Sequence, residues 1–502
     1  MTSCSSAPLF RPDLLAKYAA NGPRYTSYPT ALQLDERFDT AHYARAAVDP
    51  GASNALSLYV HIPFCATACF YCGCTRIATR NHAHARPYLD RLKQELALQA
   101  ARFDPARTLT QLHWGGGTPP FLSEPEIAEL MAAIRAHFPD HALPRSRDLD
   151  RDRPAHGHAG HTRAPAHAGF NRLSLGVQDV DADVQRAVNR VQSIERTASL
   201  IAAARLVGYR SVSVDLIYGL PKQTATSFAR TLDTVIELAP DRISVFGYAH
   251  LPNLFKMQRR IDDAALPTPA ARIALLGLAI EALTQAGYVY IGMDHFARPT
   301  DELVAAQRNG TLQRNFQGYS TCADTDLIGI GMSSIGKVGD VYVQNEKDIA
   351  AWSAVIDAGR LPIARGVRLT AEDRLRRDVI MRLMCHLALP FAELEAVYGI
   401  RFAERFAPEL ARLRDFERDG LLSIEPGRLT IHPTGRPFVR NIAMCFDAYL
   451  SGAAASRCSK PSDRPCRRPS AGGALLRYSG GFRRSPATPR CARPKRPSRS
   501  NA

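Results

Sequence analysis

Between Leu56 and about residue 292, the chain alternates short apolar runs with segments of helical periodicity. The runs that predict strands are Leu56–Val60, Gln111–Trp114, Asn171–Val177, Ser211–Ile217, Arg242–Phe246 and Tyr288–Ile291. Helical patterns such as Tyr88–Ala101 separate them. Strand–helix alternation is typical of a parallel sheet, which can close fully or partly into a barrel. We therefore predict an α/β fold with its functional residues at the carboxyl ends of the strands, where the loops gather.

A single loop after the first predicted strand contains four cysteines. Cys65, Cys69 and Cys72 have C-x3-C-x2-C spacing, and Cys74 follows two residues later. Three thiolates at this spacing can hold three irons of a [4Fe–4S] cluster and leave the fourth iron open to a small molecule. Zinc is an alternative, but structural zinc usually takes paired ligands from two separate places. A disulfide is the other alternative, and it requires an oxidising compartment.

The ends of the chain and its charge bear on location and partners. The start has no signal-peptide pattern, and no apolar run reaches about 18 residues. We therefore expect a cytoplasmic protein without a membrane span. The net charge is +16, but residues 451–502 carry thirteen Lys and Arg against one acidic residue. Because this tail is rich in Pro, Ser and Arg and poor in large apolar residues, it predicts a disordered appendage more than a nucleic-acid surface.

Further polar and glycine residues follow the predicted strands. Gly116 and Gly117 lie in the run Gly-Gly-Gly-Thr118, where missing Cβ atoms would let the backbone approach a ligand closely. Arg190 could bind a carboxylate with two hydrogen bonds, and Asp215 could accept hydrogen bonds from ribose hydroxyls. The alternative for these side chains is an ordinary surface ion pair.

The composition changes along the chain suggest four regions. Residues 1–55 are polar and turn-rich, 56–365 contain the alternating pattern, 366–450 are mostly helical, and 451–502 form the basic tail. The third region ends in a short hairpin-like pattern, which predicts a winged-helix-like domain. Such a resemblance in fold is weak support for DNA binding.

Taken together, these motifs resemble the radical S-adenosylmethionine family. Within it, the chain is similar to the oxygen-independent coproporphyrinogen III oxidases from about Gly22 to Leu450. The motifs that carry this similarity, besides the cysteine loop and the glycine run, are Gly22–Pro29, Asn171–Gln178, Asp215–Thr224 and Gly292–Arg298. Related haem-chaperone proteins share the three-cysteine loop but lack the fourth cysteine and the Gly-Pro-Arg-Tyr start.

The resemblance implies a partial (β/α) barrel, a [4Fe–4S] cluster and S-adenosylmethionine bound to the open iron. Reductive cleavage of S-adenosylmethionine would give a 5′-deoxyadenosyl radical that removes hydrogen from the β-carbon of a propionate. Loss of CO2 and one electron then leaves a vinyl group. Two propionates of coproporphyrinogen III would react in turn to give protoporphyrinogen IX in haem biosynthesis. An electron donor of unknown identity is implied, and we expect a monomer.

The resemblance also implies roles for individual residues. Cys65, Cys69 and Cys72 would hold the cluster, and Cys74 would lie beside it without ligating it. Tyr59, Gly116 and Ile335 would contact the cluster-bound S-adenosylmethionine. A second S-adenosylmethionine would contact Tyr71, Gly117, Thr118, Gln178, Arg190, Asp215 and Ala249. Tyr25 and Tyr28 would lie over the active site, so we take them together with Cys74 as candidate catalytic residues.

One segment departs from the family pattern. From Asp140 to Gly169 the chain is rich in Arg, Asp, His, Pro and Ala, and it offers no apolar run for the buried strand that the barrel needs here. The family has approximately E-I-S-I-E-x-D-P-R at this place, and its second Glu contacts the cluster-bound S-adenosylmethionine.

A shift of reading frame would explain this departure. One codon string allowed for residues 148–155, GA-GAT-CTC-GAT-CGA-GAT-CGA-CCC-GC, translates from its first base as Glu-Ile-Ser-Ile-Glu-Ile-Asp-Pro. We interpret the segment as read out of frame from near Ala142 to near Gly169, and the tail after Leu450 in the same way. We expect the chain as written to lose a central strand, to fold poorly and to turn over weakly.

Other functions fit parts of the sequence. A radical S-adenosylmethionine enzyme with another substrate and a haem-binding or haem-delivery protein would share the cysteine loop. A nucleic-acid binder would use the basic tail and the winged-helix-like region.

Overall fold

A computed structural model of the protein describes residues 10–18, 22–49, 55–138, 149–152, 165–322 and 325–450. The tail at 451–502 and most of the segment at 140–169 lie outside the described residues.

The strands of the described residues are β1 (Ala55–Ile62), β2 (Phe64–Cys65), β3 (Ile77–Ala78), β4 (Thr108–Gly116), β5 (Leu149–Asp152), β6 (Arg172–Gln178), β7 (Ser211–Tyr218), β8 (Arg242–Gly247), β9 (Val289–Gly292), β10 (His295–Ala297), β11 (Gln313–Asn315), β12 (Gly318–Ser320), β13 (Asp326–Ile330), β14 (Ile335–Val338), β15 (Val341–Asn345), β16 (Ile363–Arg368), β17 (Ala388–Pro390), β18 (Leu422–Glu425) and β19 (Arg428–Ile431). Every run that the sequence predicts as a strand is found among them.

Twelve of these strands form one mixed sheet in the order β16-β15-β14-β13-β1-β4-β5-β6-β7-β8-β10-β9. The strands from β13 through β8 are parallel to their neighbours, and the pairs at both ends are antiparallel. All eight residues of β7 are buried, as expected for a parallel strand covered on both faces. The two edge strands, β16 and β9, do not pair with each other, so the predicted partial barrel is confirmed.

The α-helices are α1 (Pro12–Lys17), α2 (Ala41–Ala47), α3 (Ala85–Ala100), α4 (Glu124–His137), α5 (Ala182–Ala187), α6 (Ile194–Leu206), α7 (Ala225–Leu238), α8 (Pro269–Gln285), α9 (Glu302–Arg308), α10 (Ile349–Asp357), α11 (Ala371–His386), α12 (Phe391–Tyr398), α13 (Phe402–Arg405), α14 (Ala407–Arg418) and α15 (Val439–Met444). Local chemistry sets several of their starts. Ser123 and Glu126 form a capping box at α4, which satisfies backbone N–H groups that have no partner within the helix.

The C-terminal region is mostly helical, as expected. After α11, the strands β17, β19 and β18 form a short sheet, in which β17 contacts α11 and β18 contacts α14. The predicted hairpin corresponds to β18 and β19, and β17 pairs with β19 as a third strand.

The segment from Asp140 to Gly169, which we call the anomalous segment, is expected from its sequence to lack the central strand. This expectation is wrong, because the backbone of part of the segment forms that strand. Leu149–Asp152 forms β5, which lies between β4 and β6 and is parallel to both. Without it, the facing backbone groups of β6 would have no hydrogen-bonding partners, and any extended stretch of chain can supply them. Three of its four residues are charged in the sequence, unlike the apolar runs typical of buried parallel strands.

The sequence analysis also missed a part of the sheet. β13 pairs in parallel with β1, and β14, β15 and β16 extend the sheet beyond it. The residues Asp326-Leu-Ile-Gly-Ile of β13 are all buried. This short, mostly apolar run is the sequence signal from which β13 could have been predicted.

Candidate functional site

The cysteine loop is held at its base by a short parallel ladder. Phe64 and Cys65 of β2 pair with Ile77 and Ala78 of β3, and the Thr79 N–H donates to the Cys65 carbonyl at 2.9 Å. The loop therefore leaves and returns at nearly one place, directly after β1. Cys69, Cys72 and Cys74 lie between these two anchors.

Positive charge and hydrogen-bond donors surround the thiols of this loop. Arg190 Nη1 lies 3.5 Å from the Sγ of Cys69, and the Cys74 N–H donates to the Sγ of Cys72 at 3.4 Å. The hydrogen bond from Cys74 holds the pKa of Cys72 well below its usual range, with Arg76 acting in the same direction. Burial raises the pKa of Cys65.

The donor set suits an iron–sulfur cluster. Cys65, Cys69 and Cys72 are all free of disulfides, and thiolates are the ligands that iron–sulfur clusters take. Within the described ranges, no three His, Cys, Asp or Glu side chains converge on a single metal ion. A cubic cluster is bound at separate corners, so convergence on one ion is not what it requires.

Beside the loop, four of the candidate residues line one cavity of about 260 Å³. Tyr59, Gly116, Ile335 and Cys74 contribute to its wall. They come from β1, β4, β14 and the cysteine loop, and we call this space the Cys74 cavity. Cys74 is an exposed residue.

The register of the central strands explains this convergence. Tyr59 on β1 is aligned with His113 on β4, and His61 with Gly115. A Cβ atom at Gly116 would lie 2.7 Å from the His61 ring, which is closer than real Cβ contacts allow. Only glycine at this position leaves the ring and the cavity wall in place.

His61 is held as a neutral imidazole beneath the cavity. Its Nε2 lies 3.0 Å from the Thr75 carbonyl, which can only accept, so Nε2 carries the proton. Its Nδ1 therefore accepts from the Tyr59 hydroxyl at 3.1 Å. Burial lowers the pKa of His61 to about 4, although the Thr75 carbonyl opposes this shift.

A second group of candidate residues lies beside Cys69. Arg190 donates from Nε to the Gly176 carbonyl at 3.2 Å, and Gly176 is aligned with Asp215 on the neighbouring strand. A Cβ at Gly176 would lie 2.6 Å from the Gln178 amide nitrogen and 2.7 Å from Arg190 Nη2. Three of the predicted residues, Gln178, Arg190 and Asp215, are therefore close to Gly176.

Thr118 and Gly117 connect this group to the loop. The Thr118 hydroxyl lies 3.5 Å from the Sγ of Cys65. The Gly117 N–H donates to the Ile62 carbonyl at 2.7 Å, and the Thr118 N–H donates to the Phe64 carbonyl at 2.8 Å. The glycine run is thus bonded directly to the chain that enters the cysteine loop.

Tyr71 and Ala249 are brought together by one buried side chain. The amide nitrogen of Gln258 donates to the Tyr71 carbonyl at 3.0 Å and to the Ala249 carbonyl at 3.2 Å. Nearby, the buried Oε1 atom of Gln178 has no hydrogen-bond partner. A buried acceptor in this state is expected to have a donor from a ligand.

The structure gives the hydroxyls of Tyr25 and Tyr28 partners outside the Cys74 cavity. Tyr25 donates to the Asp447 carboxylate at 2.8 Å, and the Tyr28 hydroxyl accepts from the Ala448 N–H at 3.0 Å. Both rings are buried. These contacts suit residues that anchor the N-terminal segment to the C-terminal region.

Sequence reasoning missed several residues that line the Cys74 cavity. They are His61, Thr75, His113, Gly115, Phe316, Gln317, Ser333 and Ser334. His113 and His61 could have been found from the period of two in β1 and β4, which places alternate residues on one face. The contributions of Gln317 and Ser333 depend on the folding of the chain after β10, which no local pattern predicts.

Comparisons with known proteins agree with this arrangement. The Radical SAM superfamily profile matches residues 59–235, and the HemN C-terminal domain profile matches residues 369–438. The oxygen-independent coproporphyrinogen III oxidase of Pseudomonas aeruginosa is 46% identical over 454 residues, which span 89% of this chain and 98% of that protein. Its counterpart in Escherichia coli K12 is 48% identical over 445 residues, spanning 87% and 95%.

A solved structure is similar over the same range. The coproporphyrinogen III oxidase from Escherichia coli, described as a radical SAM enzyme, superposes with a TM-score of 0.82 at 46% identity. The match covers 85% of this chain and 98% of that one. The similarity therefore includes both the sheet and the helical C-terminal region.

Proposed function

Because this chain belongs to the oxygen-independent coproporphyrinogen III oxidase family of radical SAM enzymes, we propose that it decarboxylates two propionates of coproporphyrinogen III. The products are vinyl groups, and the reaction yields protoporphyrinogen IX without oxygen. The enzyme class is that of an oxidoreductase in haem biosynthesis.

The observation that best supports this proposal is the shared wall of the Cys74 cavity. Tyr59, Gly116 and Ile335 are distant in sequence, yet they line one space together with Cys74. That space lies beside the loop of three free cysteines. A cavity at this place is suited to a small molecule bound at the open iron of a cluster.

In this proposal, Cys65, Cys69 and Cys72 hold a [4Fe–4S] cluster. When bound, the cluster supplies the electron that cleaves S-adenosylmethionine and so begins removal of hydrogen from the propionate. Tyr59, Gly116 and Ile335 position that S-adenosylmethionine. The neutral His61 holds the Tyr59 hydroxyl, and Gly116 keeps the wall free of side-chain atoms.

A second S-adenosylmethionine is proposed on the Arg190 side of the cysteines. Arg190, Asp215 and Gln178 are close to one another around Gly176, and the unpartnered Oε1 of Gln178 is suited to a ligand N–H or O–H group. Tyr71, Gly117, Thr118 and Ala249 complete this group. Binding of S-adenosylmethionine to the reconstituted protein, counted by equilibrium dialysis, tests the stoichiometry: two per chain is expected, and Arg190→Met should reduce it to one.

Other parts of the proposal rest on sequence. We propose a cytoplasmic monomer that takes electrons from an unidentified donor, and that does not bind nucleic acid. No helix in the described part of the chain is both long and apolar enough to cross a bilayer.

Anaerobic reconstitution with iron and sulfide tests the function. We expect about four irons per chain, formation of 5′-deoxyadenosine that depends on coproporphyrinogen III, and a vinyl-containing product detected by mass spectrometry. Cys69→Ala should lose the cluster and both products. Cys445→Ala removes a cysteine outside the loop and should retain them.

The outcomes separate the alternatives. A cluster-loaded protein that cleaves S-adenosylmethionine but leaves coproporphyrinogen III unchanged would indicate a different substrate. A stable haem complex without S-adenosylmethionine cleavage would indicate a haem-delivery protein.

A further inference from the structure

A second cavity next to the Cys74 cavity is lined by positively charged side chains. It has a volume of about 170 Å³ and is lined by Arg314, Arg377 and Lys337 among other residues. We call it the arginine cavity. Pockets that enclose whole drug-sized ligands usually measure roughly 300–1,000 Å³, so this one is suited to a small group or to one arm of a larger molecule.

Two guanidinium nitrogens of the arginines that line this cavity have no hydrogen-bond partner. The Nη1 atoms of both Arg314 and Arg377 are buried and unpaired, and Arg314 as a whole is only 7% exposed. Leaving a buried charged donor unsatisfied costs more free energy than leaving a neutral one unsatisfied. Such atoms indicate that an acceptor is missing, and the acceptor that best matches a guanidinium is a carboxylate or phosphate.

Other bonds hold both arginines in place. The Arg314 Nε donates to the Arg24 carbonyl at 3.3 Å, and its guanidinium carbon lies 4.6 Å from the centre of the Tyr319 ring. Burial alone would lower the pKa of Arg377, but the facing Tyr342 hydroxyl raises it. Both side chains are therefore held in place before any ligand binds, which reduces the entropy cost of binding.

The acidic residue of the lining does not neutralise this charge. Asp378 accepts from the Nε of Arg382 at 3.1 Å and lies 3.5 Å from the Tyr398 hydroxyl. Its charge is thus directed to a residue outside the cavity wall. Among the described residues that line the cavity, three are basic and one is acidic.

The arginine cavity and the Cys74 cavity lie along one strand. Ile335 lines the Cys74 cavity and Lys337 lines the arginine cavity, and residues two apart on a strand point to the same face. At 3.2–3.4 Å per residue their Cα atoms are roughly 6–7 Å apart. Phe316 contributes to both walls.

We infer that Arg314 and Arg377 bind the carboxylate of one propionate of the substrate while another propionate reaches the Cys74 cavity. This inference rests on the proposed function, because coproporphyrinogen III carries several propionates on one ring system. Anchoring one carboxylate would fix which of the others meets the reactive centre. The arginine cavity would thus determine orientation as well as affinity.

Binding of the oxidised porphyrin tests this assignment independently of turnover. Coproporphyrin III keeps the same carboxylates, and its tetramethyl ester keeps the ring without their charge. We expect the reconstituted full chain to bind the acid at least tenfold more tightly than the ester in absorbance titrations. Arg377→Met should weaken binding of the acid by at least tenfold and leave the ester unchanged, and Arg377→Lys should give an intermediate loss.

Arg308→Met provides the matched control, because Arg308 is an exposed arginine on α9 and lies outside both cavities. It should bind acid and ester like the unmodified chain. Equal weakening of acid and ester in Arg377→Met, or no weakening at all, would overturn the assignment. So would a chain that does not distinguish the acid from the ester.

The same proteins separate this inference from the proposed function. If the chain binds the acid through Arg377 but forms no 5′-deoxyadenosine with coproporphyrinogen III, the proposed reaction fails and the carboxylate site remains. If turnover occurs and Arg377→Met keeps the same KM, the carboxylate site fails and the reaction remains.

Discussion

The buried carboxylate of Glu95 accepts a hydrogen bond from the indole N–H of Trp352 at 3.0 Å. The same carboxylate accepts from the Gly331 N–H at 2.8 Å and from the Asn345 side chain at 2.6 Å. Burial raises the pKa of Glu95 to about 7, and these donors oppose the shift. Gly331 precedes the turn that carries Ser333 and Ile335 to the Cys74 cavity, so α3 supports one wall of the site through a single side chain.

Replacing Glu95 with Leu should destabilise the protein and move this wall. Each buried N–H left without an acceptor costs roughly 1–3 kcal/mol. We therefore expect a loss of several kcal/mol in urea unfolding and a raised KM for S-adenosylmethionine, with iron content unchanged. Glu281→Leu removes an exposed carboxylate and should change neither value. Unfolding curves that coincide for the two variants would contradict this role.

His61 should make the protein sensitive to acid. Its folded pKa of about 4 lies below the unfolded value of about 6.5, so the folded state binds fewer protons between these values. Stability should therefore fall as the pH drops through this range, by about 2 kcal/mol from pH 6.5 to pH 5. Protonation would also remove the acceptor of the Tyr59 hydroxyl.

Denaturant unfolding at several pH values measures this effect. The variant His61→Asn lacks the titrating ring, so its stability should depend less on pH over the same range. Parallel pH profiles for the two proteins would show that His61 is not the cause.

Gly117→Ala should prevent assembly of the cluster loop. A Cβ atom at this position would lie 2.5 Å from the Phe64 carbonyl oxygen and 2.7 Å from that of Pro63. Because both obstacles are backbone atoms, the glycine run and the entry to the cysteine loop would have to separate. We expect iron content after reconstitution to fall by more than half.

Gly427→Ala is the control for this change, since a Cβ there meets no atom within 4 Å. It should bind iron like the unmodified chain. Full iron content in Gly117→Ala would mean that the loop tolerates the displacement.

Restoring the family pattern in the anomalous segment should stabilise the protein. We propose that residues near 142–169 are read out of frame, and that the charged β5 pairs less well than an apolar strand would. Replacing residues 148–155 with Glu-Ile-Ser-Ile-Glu-Ile-Asp-Pro should raise the urea midpoint, lower the KM for S-adenosylmethionine and increase turnover.

A second replacement with Gln in place of the second Glu separates the two effects. This variant should keep the raised urea midpoint, but its KM for S-adenosylmethionine should not be lowered. The coding sequence provides an independent test: absence of the codon string given above from the gene would contradict the frame interpretation.

The sequence predicted those parts of the fold that repeat. The strands β1, β4, β6, β7 and β8 each carry several apolar residues within a short stretch, and the cysteine loop and glycine run are local in sequence. Ile335 entered the prediction only through family resemblance, because its approach to Tyr59 depends on β14 joining the far edge of the sheet. Residues such as Arg377 and Arg314 carry no motif. Only the packing of β11 against α11 brings these two arginines to one cavity.

Tyr25 and Tyr28 fasten the N-terminal segment to Asp447 and Ala448 of the C-terminal region. During synthesis from the N-terminus, these partners leave the ribosome 422 and 420 residues after Tyr25 and Tyr28, respectively. The cysteine loop, β1 and β4 exist long before that moment. The N-terminal segment can therefore be fastened only after the loop, β1 and β4 have been made, so these two hydrogen bonds belong to a late step of folding during synthesis.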